Sequence, residues 1–135
     1  MKSLFGLFAI ILFYSCMSLS SNKGCEQLKN GTFKFHLRTE QGDIFYSITR
    51  NDSIQIEVNN NTGSITKLSV RWTDKCKYEL RLLESNSNFP DSIQQMRKVV
   101  PLKTEILSST DNYYIFRAKR DNADYVMIDT MWIDK

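Results

Sequence analysis

The chain holds one histidine, His36, three cysteines and 15 acidic residues, and these bound the chemistry open to it. A single imidazole excludes a two-histidine metal site and a histidine relay. Any Ser-His-Asp or Cys-His nucleophile would have to be built around His36 alone. His36 falls between Phe35 and Leu37 on the polar side of an alternating run, the place of a solvated surface group rather than a general base. No serine stands in a glycine-flanked elbow, and Gly31, Gly42 and Gly63 are isolated, so no phosphate-cradling loop is present. Glu57, Glu79 and Glu105 lie on polar faces next to Lys or Arg, which reads as exposed cross-strand charge pairing. Asp121, Asp124 and Asp129 lack the alternate-residue spacing and the glycine of a calcium loop. Asp129 shares a strand face with Met127, Met131 and Ile133, and it needs a partner if that face turns inward. The opposite face, Val126, Ile128 and Trp132, is equally apolar, so either side qualifies as the buried one. The chain therefore reads as a non-enzyme, with no catalytic residue, no metal and no cofactor.

The cysteines divide into one and two. Lys2 is followed by the apolar run Leu4–Tyr14 and then by Ser15, Cys16, Met17 and Ser18, the three-part build of a secretory leader. The run makes about 16 Å of helix, half the thickness of a bilayer's hydrocarbon, so a permanent span is not expected. Phe13-Tyr14-Ser15-Cys16 resembles a bacterial lipobox, with Phe in place of the preferred Leu and a bulky Tyr after it. Cleavage before Cys16 would leave it as the lipid-bearing first residue. Cleavage after Ser18 by ordinary signal peptidase is the alternative, leaving a soluble periplasmic or secreted chain. The lipoprotein route is the expectation. It divides the chain into a leader (1–15), a tether (16–24) and one domain (25–135), anchored on the envelope of a bacterium at the outer membrane or periplasmic face.

Cys25 and Cys76 then form an even pair in an oxidising compartment, where two thiols usually join. Two isolated cysteines and one histidine lack the closely spaced pairs that zinc uses. A bridge would close a loop of about 51 residues, worth roughly 4 kcal/mol in the chain-entropy model. It would also hold the N-terminus of the domain on a central strand.

A chain of 135 residues, 41% hydrophobic and 24% charged, suffices for one compact domain and is too ordered in composition for a disordered tail. Its formal net charge of +3 is too small to imply a nucleic-acid or acidic partner. Aromatics interleave with bases in Phe33–Arg38 and Tyr113–Lys119, a pattern that can stack single strands. Alternating aromatics are also what a β core needs, and an exported chain meets little nucleic acid. None is expected as a partner.

Period-two alternation runs through most of the domain. Phe33, Phe35 and Leu37 face one way, then Ile44, Tyr46 and Ile48, and Arg50-Asn51-Asp52 breaks the pattern. Ile54, Ile56 and Val58 carry the next apolar face, opposite Ser53, Gln55 and Glu57. After the Asn59–Ser64 loop come Leu68, Val70 and Trp72, then Cys76, Tyr78, Leu80 and Leu82, around a turn at Thr73-Asp74-Lys75. Ile93, Met96 and Val100 lie instead at helical spacing between Pro90 and Pro101, which predicts one short helix over 91–100. Strands resume at Lys103–Ser108, Tyr113–Lys119 and Tyr125–Ile133. The expected fold is mainly β: an antiparallel meander of seven to eight strands with that one helix. It forms a small, open, lipocalin-like barrel or a sandwich.

The strings Leu28–Phe35, Ile48–Glu57 and Val70–Leu80 resemble a group of small exported proteins of flavobacteria and their relatives. That group carries a cysteine just before a K-x-G-x-F strand, an I-x-R-x-x-x-x-Q-I-E strand and a W-x-x-x-C-x-Y-x-L strand. The resemblance covers residues 25–83 and implies an exported location and a Cys25–Cys76 framework. It implies no activity. Some members bear a DNA topoisomerase label, which nothing in this small exported chain supports. Asp52-Ser53-Ile54 and Asp91-Ser92-Ile93 also resemble the short acceptor motif for O-linked sugars on exported proteins of the Bacteroidota, so Ser53 and Ser92 are candidate modification sites.

The functional expectation is a non-catalytic, lipid-anchored envelope protein that binds a small apolar ligand or a partner protein. A closed sheet would let Phe33, Phe35, Tyr46, Trp72 and Tyr78 line an apolar pocket, unless they fill the core completely. The alternative is an inhibitor or accessory subunit of an envelope complex, acting through a loop such as 59–64 or 84–91. A hydrolase is the weakest reading.

Overall fold

A computed structural model describes residues 24–135. The leader, Cys16 and the tether up to Lys23 lie outside the described residues. Eight antiparallel strands run up and down in sequence order: β1 (Gly31–Thr39), β2 (Gly42–Arg50), β3 (Ile54–Asn59), β4 (Ile65–Asp74), β5 (Lys77–Ser85), β6 (Leu102–Ser109), β7 (Tyr113–Lys119) and β8 (Val126–Asp134). A 3₁₀ turn, Cys25–Leu28, precedes them, and α1 (Asp91–Val99) lies between β5 and β6. The expected β meander and its one helix are present. Its sheet is neither open nor a sandwich: β1 pairs with β8, from Thr32 opposite Asp134 to Phe35 opposite Met131, and the barrel closes. Closure removes both sheet edges, where unpaired backbone groups would otherwise invite another chain.

The inner face holds the core predicted from β1, β2, β4 and β5. Phe33, Ile48, Leu68, Val70, Tyr78, Leu80 and Leu82 are buried, and Tyr114, Phe116 and Met131 join them. Phe33 meets Tyr114 edge-on at 5.7 Å, and Phe35 meets Phe116 likewise at 5.8 Å, the arrangement ring quadrupoles favour. On β8 the inner face is the one with Met127, Asp129, Met131 and Ile133. Asp129 is half-buried and accepts a bond from the Thr130 amide at 2.6 Å, while Val126, Ile128 and Trp132 stay exposed outside.

On β3 the faces are the reverse of the expected ones. Gln55, 2% exposed, points into the barrel with Glu57, while Ile56, 38% exposed, points out. The cause is the β2–β3 turn. Asn51 accepts bonds from the Ser53 and Ile54 amides at 3.1 and 2.9 Å, and its own amide donates to the Ile54 carbonyl. That compact turn sets Arg50 opposite Gln55 and Ile48 opposite Glu57. Cross-strand partners share a face, and β2 has already committed Ile48 and Arg50 inward. Three isoleucine and valine side chains are thus left on the outer wall.

The barrel has two unlike ends. One holds the 3₁₀ turn and the β2–β3, β4–β5 and β6–β7 turns. Cys25 and Cys76 are bonded there, with Cα atoms 5.2 Å apart. Cys76 stands in the β4–β5 turn rather than on the strand predicted for it, within reach of the N-terminal segment. The other end holds the β1–β2 and β3–β4 turns and α1. Only Lys77–Leu80 of β5 pair with β6, and α1 packs against β5. The β3–β4 turn depends on Gly63, whose φ of +77° lies in the left-handed region. A Cβ there would touch nothing within 4 Å. Gly63→Ala should therefore cost about 1 kcal/mol from backbone strain alone, read as a lower urea midpoint with an unchanged fold.

Candidate functional site

A polar line runs through the barrel from the disulfide end to a cavity at the other. It starts at Arg50, 2% exposed, which sequence patterning marks as a strand breaker but which ends β2 inside the barrel. Its Nε donates to Gln55 Oε1 at 2.7 Å and its Nη1 to the Leu28 carbonyl at 3.1 Å. Its Nη2 donates to the Tyr78 and Tyr114 hydroxyls at 3.1 and 3.0 Å. The guanidinium also lies 4.9 and 4.6 Å from the ring centres of Phe33 and Tyr78. Burial works against this cation, and the two tyrosine oxygens more than offset it, so Arg50 stays charged. Every acceptor around it is neutral. The aromatic faces and aligned dipoles serve in place of a carboxylate.

Gln55 carries the line onward, its Nε2 donating to Glu57 Oε1 at 2.7 Å. Glu57 lines a cavity of about 620 Å³ at the α1 end of the barrel. Ile44 and Tyr46 of β2, Asn59 of β3, Thr66 of β4 and Ser87 and Phe89 of the β5–α1 linker complete much of the wall. Arg97 reaches in from the last turn of α1, its guanidinium 5.5 Å from the Phe89 ring centre. Small-molecule sites commonly span about 300–1,000 Å³, so the volume is of ligand size. Burial pushes the Glu57 carboxyl above its ordinary pKa, against the opposing pull of Gln55, Arg97 and Arg50. Burial and the Glu57 charge likewise raise Tyr46, against the pull of Arg97. The site is an acid and a base set on a mixed wall of hydroxyls, amides and apolar side chains.

A raised carboxyl fixes the sign of a pH effect. The folded protein holds the Glu57 proton more tightly than the unfolded chain. Its contribution to stability is therefore full below the ordinary carboxylate range and is lost as pH rises through the folded value. Glu57→Gln keeps the shape and removes the titration. Its stability relative to the parent should accordingly rise between about pH 4 and pH 7 in paired urea unfolding curves. A difference that stays level or falls would mean the carboxyl is not desolvated.

The five aromatics that could either line a pocket or fill the core are divided among different places. Phe33 and Tyr78 are buried in the core. Phe35, stacked on Tyr46 at 6.2 Å, and Trp72, tilted against Tyr78 at 4.7 Å, are partly buried against it. Tyr46 alone of the five lines the cavity. Glu57, expected on an exposed polar face, is the residue the patterning missed, and only the β2–β3 register reveals it. Glu79 and Glu105 do stand in cross-strand pairs, with Arg71 at 2.7 Å and with Arg117. His36 is half-covered on the outer wall, stacked on Phe45 at 4.5 Å with its Nε2 3.0 Å from Asp43. Ser53 and Ser92 are exposed, in the β2–β3 turn and the first turn of α1. Among the described residues no three His, Cys, Asp or Glu side chains gather as a metal site. No family model matches the chain, and no curated protein matches it.

Proposed function

We propose that the protein is a non-catalytic exported carrier or sensor, held on a bacterial envelope by lipid at Cys16, that binds a small ligand in the open end of its barrel. The cavity is the observation that carries this reading, because a half-open hollow of ligand size joins charged, hydroxyl and apolar groups on one wall. The leader and lipobox-like sequence, and the likeness of residues 25–83 to small exported flavobacterial proteins, support the location. The Cys25–Cys76 bond suits an oxidising compartment. Ser53 and Ser92, both exposed, suit O-linked sugars. The lining argues for a polar or amphipathic ligand rather than the wholly apolar one that the aromatic residues suggest.

Non-denaturing mass spectrometry of the protein extracted from its own membranes tests the whole reading. The expected result is a chain lipidated at Cys16, lacking two hydrogens for the disulfide and carrying an extra molecule. Ser87→Trp, which fills the cavity from the linker, should release that molecule. A bare chain starting near Leu19 with nothing bound would overturn both anchor and carrier.

One observation favours a second reading, an accessory subunit. Phe45, Trp132 (50% exposed) and Ile128 (62% exposed) stand on the outer wall, Phe45 stacked with His36 and Trp132 5.3 Å from Tyr113. Exposed aromatics grouped in this way suit a protein interface. Loss of a stoichiometric partner on Trp132→Ala, with the cavity ligand retained, would favour it.

A further inference from the structure

From the charges that face the cavity we infer that its ligand is a small zwitterion, with its ammonium at Glu57, its carboxylate at Arg97 and its hydrocarbon part against Ile44, Tyr46 and Phe89 of the same wall. The inference rests on the ligand-binding reading above and names the class of ligand. Gln55 occupies Oε1 of Glu57, and no other hydrogen bond to this carboxylate is formed among the described residues. Arg50, the cation nearest along the polar line, is already engaged by Gln55, Leu28, Tyr78 and Tyr114. Arg97 lies over the Phe89 ring, and among the described residues it forms no ion pair with any carboxylate. The cavity thus presents an acid and a base, each without an opposite charge in contact.

Specificity follows from the penalties that other ligands would meet. A simple amine satisfies Glu57 but faces the Arg97 charge, which also acts on nearby Arg120. A simple carboxylate satisfies Arg97 and faces Glu57. A neutral molecule gives neither Glu57 nor Arg97 a charged hydrogen-bond partner, and their attraction across the cavity is all that remains to them. A molecule with both charges meets neither repulsion, so discrimination comes as much from what is rejected as from what is held. Ile44, Tyr46 and Phe89 on the same wall favour a hydrocarbon spacer.

The test uses the disulfide-bonded protein, titrated at pH 7 with glycine, γ-aminobutyrate and ε-aminocaproate, and with hexylamine and hexanoate as single-charge counterparts. Binding is followed by calorimetry and amide chemical shifts. At least one of the zwitterions should bind about 10-fold or more tightly than either counterpart, as a charge-assisted hydrogen bond implies. Glu57→Gln should remove that advantage over hexanoate, and Arg97→Gln the advantage over hexylamine, with the amide spectrum confirming the fold of each. Zwitterions that bind no better than their counterparts overturn the inference. If extracted protein nonetheless carries a bound molecule, the carrier reading stands and only the ligand class falls. If it carries none and none of the probes binds, both fall.

Discussion

Arg50→Leu is expected to lower the unfolding free energy by about 3–5 kcal/mol, a large share of a small domain's stability. The substitution strands four acceptors at once: the Tyr78 and Tyr114 hydroxyls, Gln55 Oε1 and the Leu28 carbonyl. Each sits where the barrel wall blocks water, and a buried polar group without its partner costs about 1–3 kcal/mol. Leucine also fails to cover the ring faces of Phe33 and Tyr78 on which the guanidinium lies. Arg50→Lys should lose less, because it keeps the charge but lacks the planar fork that reaches several acceptors. The loss should also be partly reversible by further substitution. With Tyr78→Phe and Tyr114→Phe added to Arg50→Leu, two of the stranded groups vanish, so the triple variant should recover part of the stability. Urea unfolding of the series measures this. An Arg50→Leu variant within about 1 kcal/mol of the parent would mean that apolar packing alone closes this end of the barrel.

Removing the disulfide is the second large effect. Cys25→Ser with Cys76→Ser should cost about 2–4 kcal/mol, since the bond spans a sequence separation of 51. Most of the loss should act through the unfolded chain, which gains the freedom of an open loop. The remainder should be local. Cys25–Leu28 is a single 3₁₀ turn with no stability of its own, held by the bond and by Leu28, which is buried under the barrel. Once released, it should carry Leu28 away from the core and its carbonyl away from Arg50. Amide exchange in residues 25–30 should then rise well before the strands open. The two substitutions share a contact, so their combined cost should fall short of their sum. Unchanged exchange in that segment, with a loss under about 0.5 kcal/mol, would remove the bond's role as the tether of the N-terminus.

Both effects centre on residues whose roles patterning alone leaves open. The bond between Cys25 and Cys76 was legible, because setting Cys16 apart in a leader-like segment leaves two thiols that lack the close spacing zinc uses. Arg50 was not, because an arginine followed by Asn-Asp is the local signature of a turn. The turn is indeed there, one residue later. What the local signature lacks is that Tyr78 and Tyr114, far along the chain, bring hydroxyls to the same point. Glu57 was hidden for a related reason. The apolar Ile54, Ile56 and Val58 outweigh Gln55 and Glu57 in any local reading, so Glu57 reads as exposed, whereas it lines a cavity together with Arg97 and several hydroxyls and amides.

The division follows from the range of the forces involved. Alternation of side chains, prolines around an apolar period and the turn residues act within a few positions. They determined the strands, the helix at Asp91–Val99 and the antiparallel order. Whether the meander closes depends on β1 reaching β8, residues about a hundred positions apart. Which face of β3 turns inward depends on one turn's register, propagated from a β2 already committed by its own core residues. A shift of one residue there would exchange the two faces of β3, placing three apolar side chains inside and Glu57 in solvent. Tertiary pairing chose the arrangement with the polar line inside, because β2 already turns Ile48 and Arg50 inward and the Asn51 turn sets Glu57 and Gln55 opposite them.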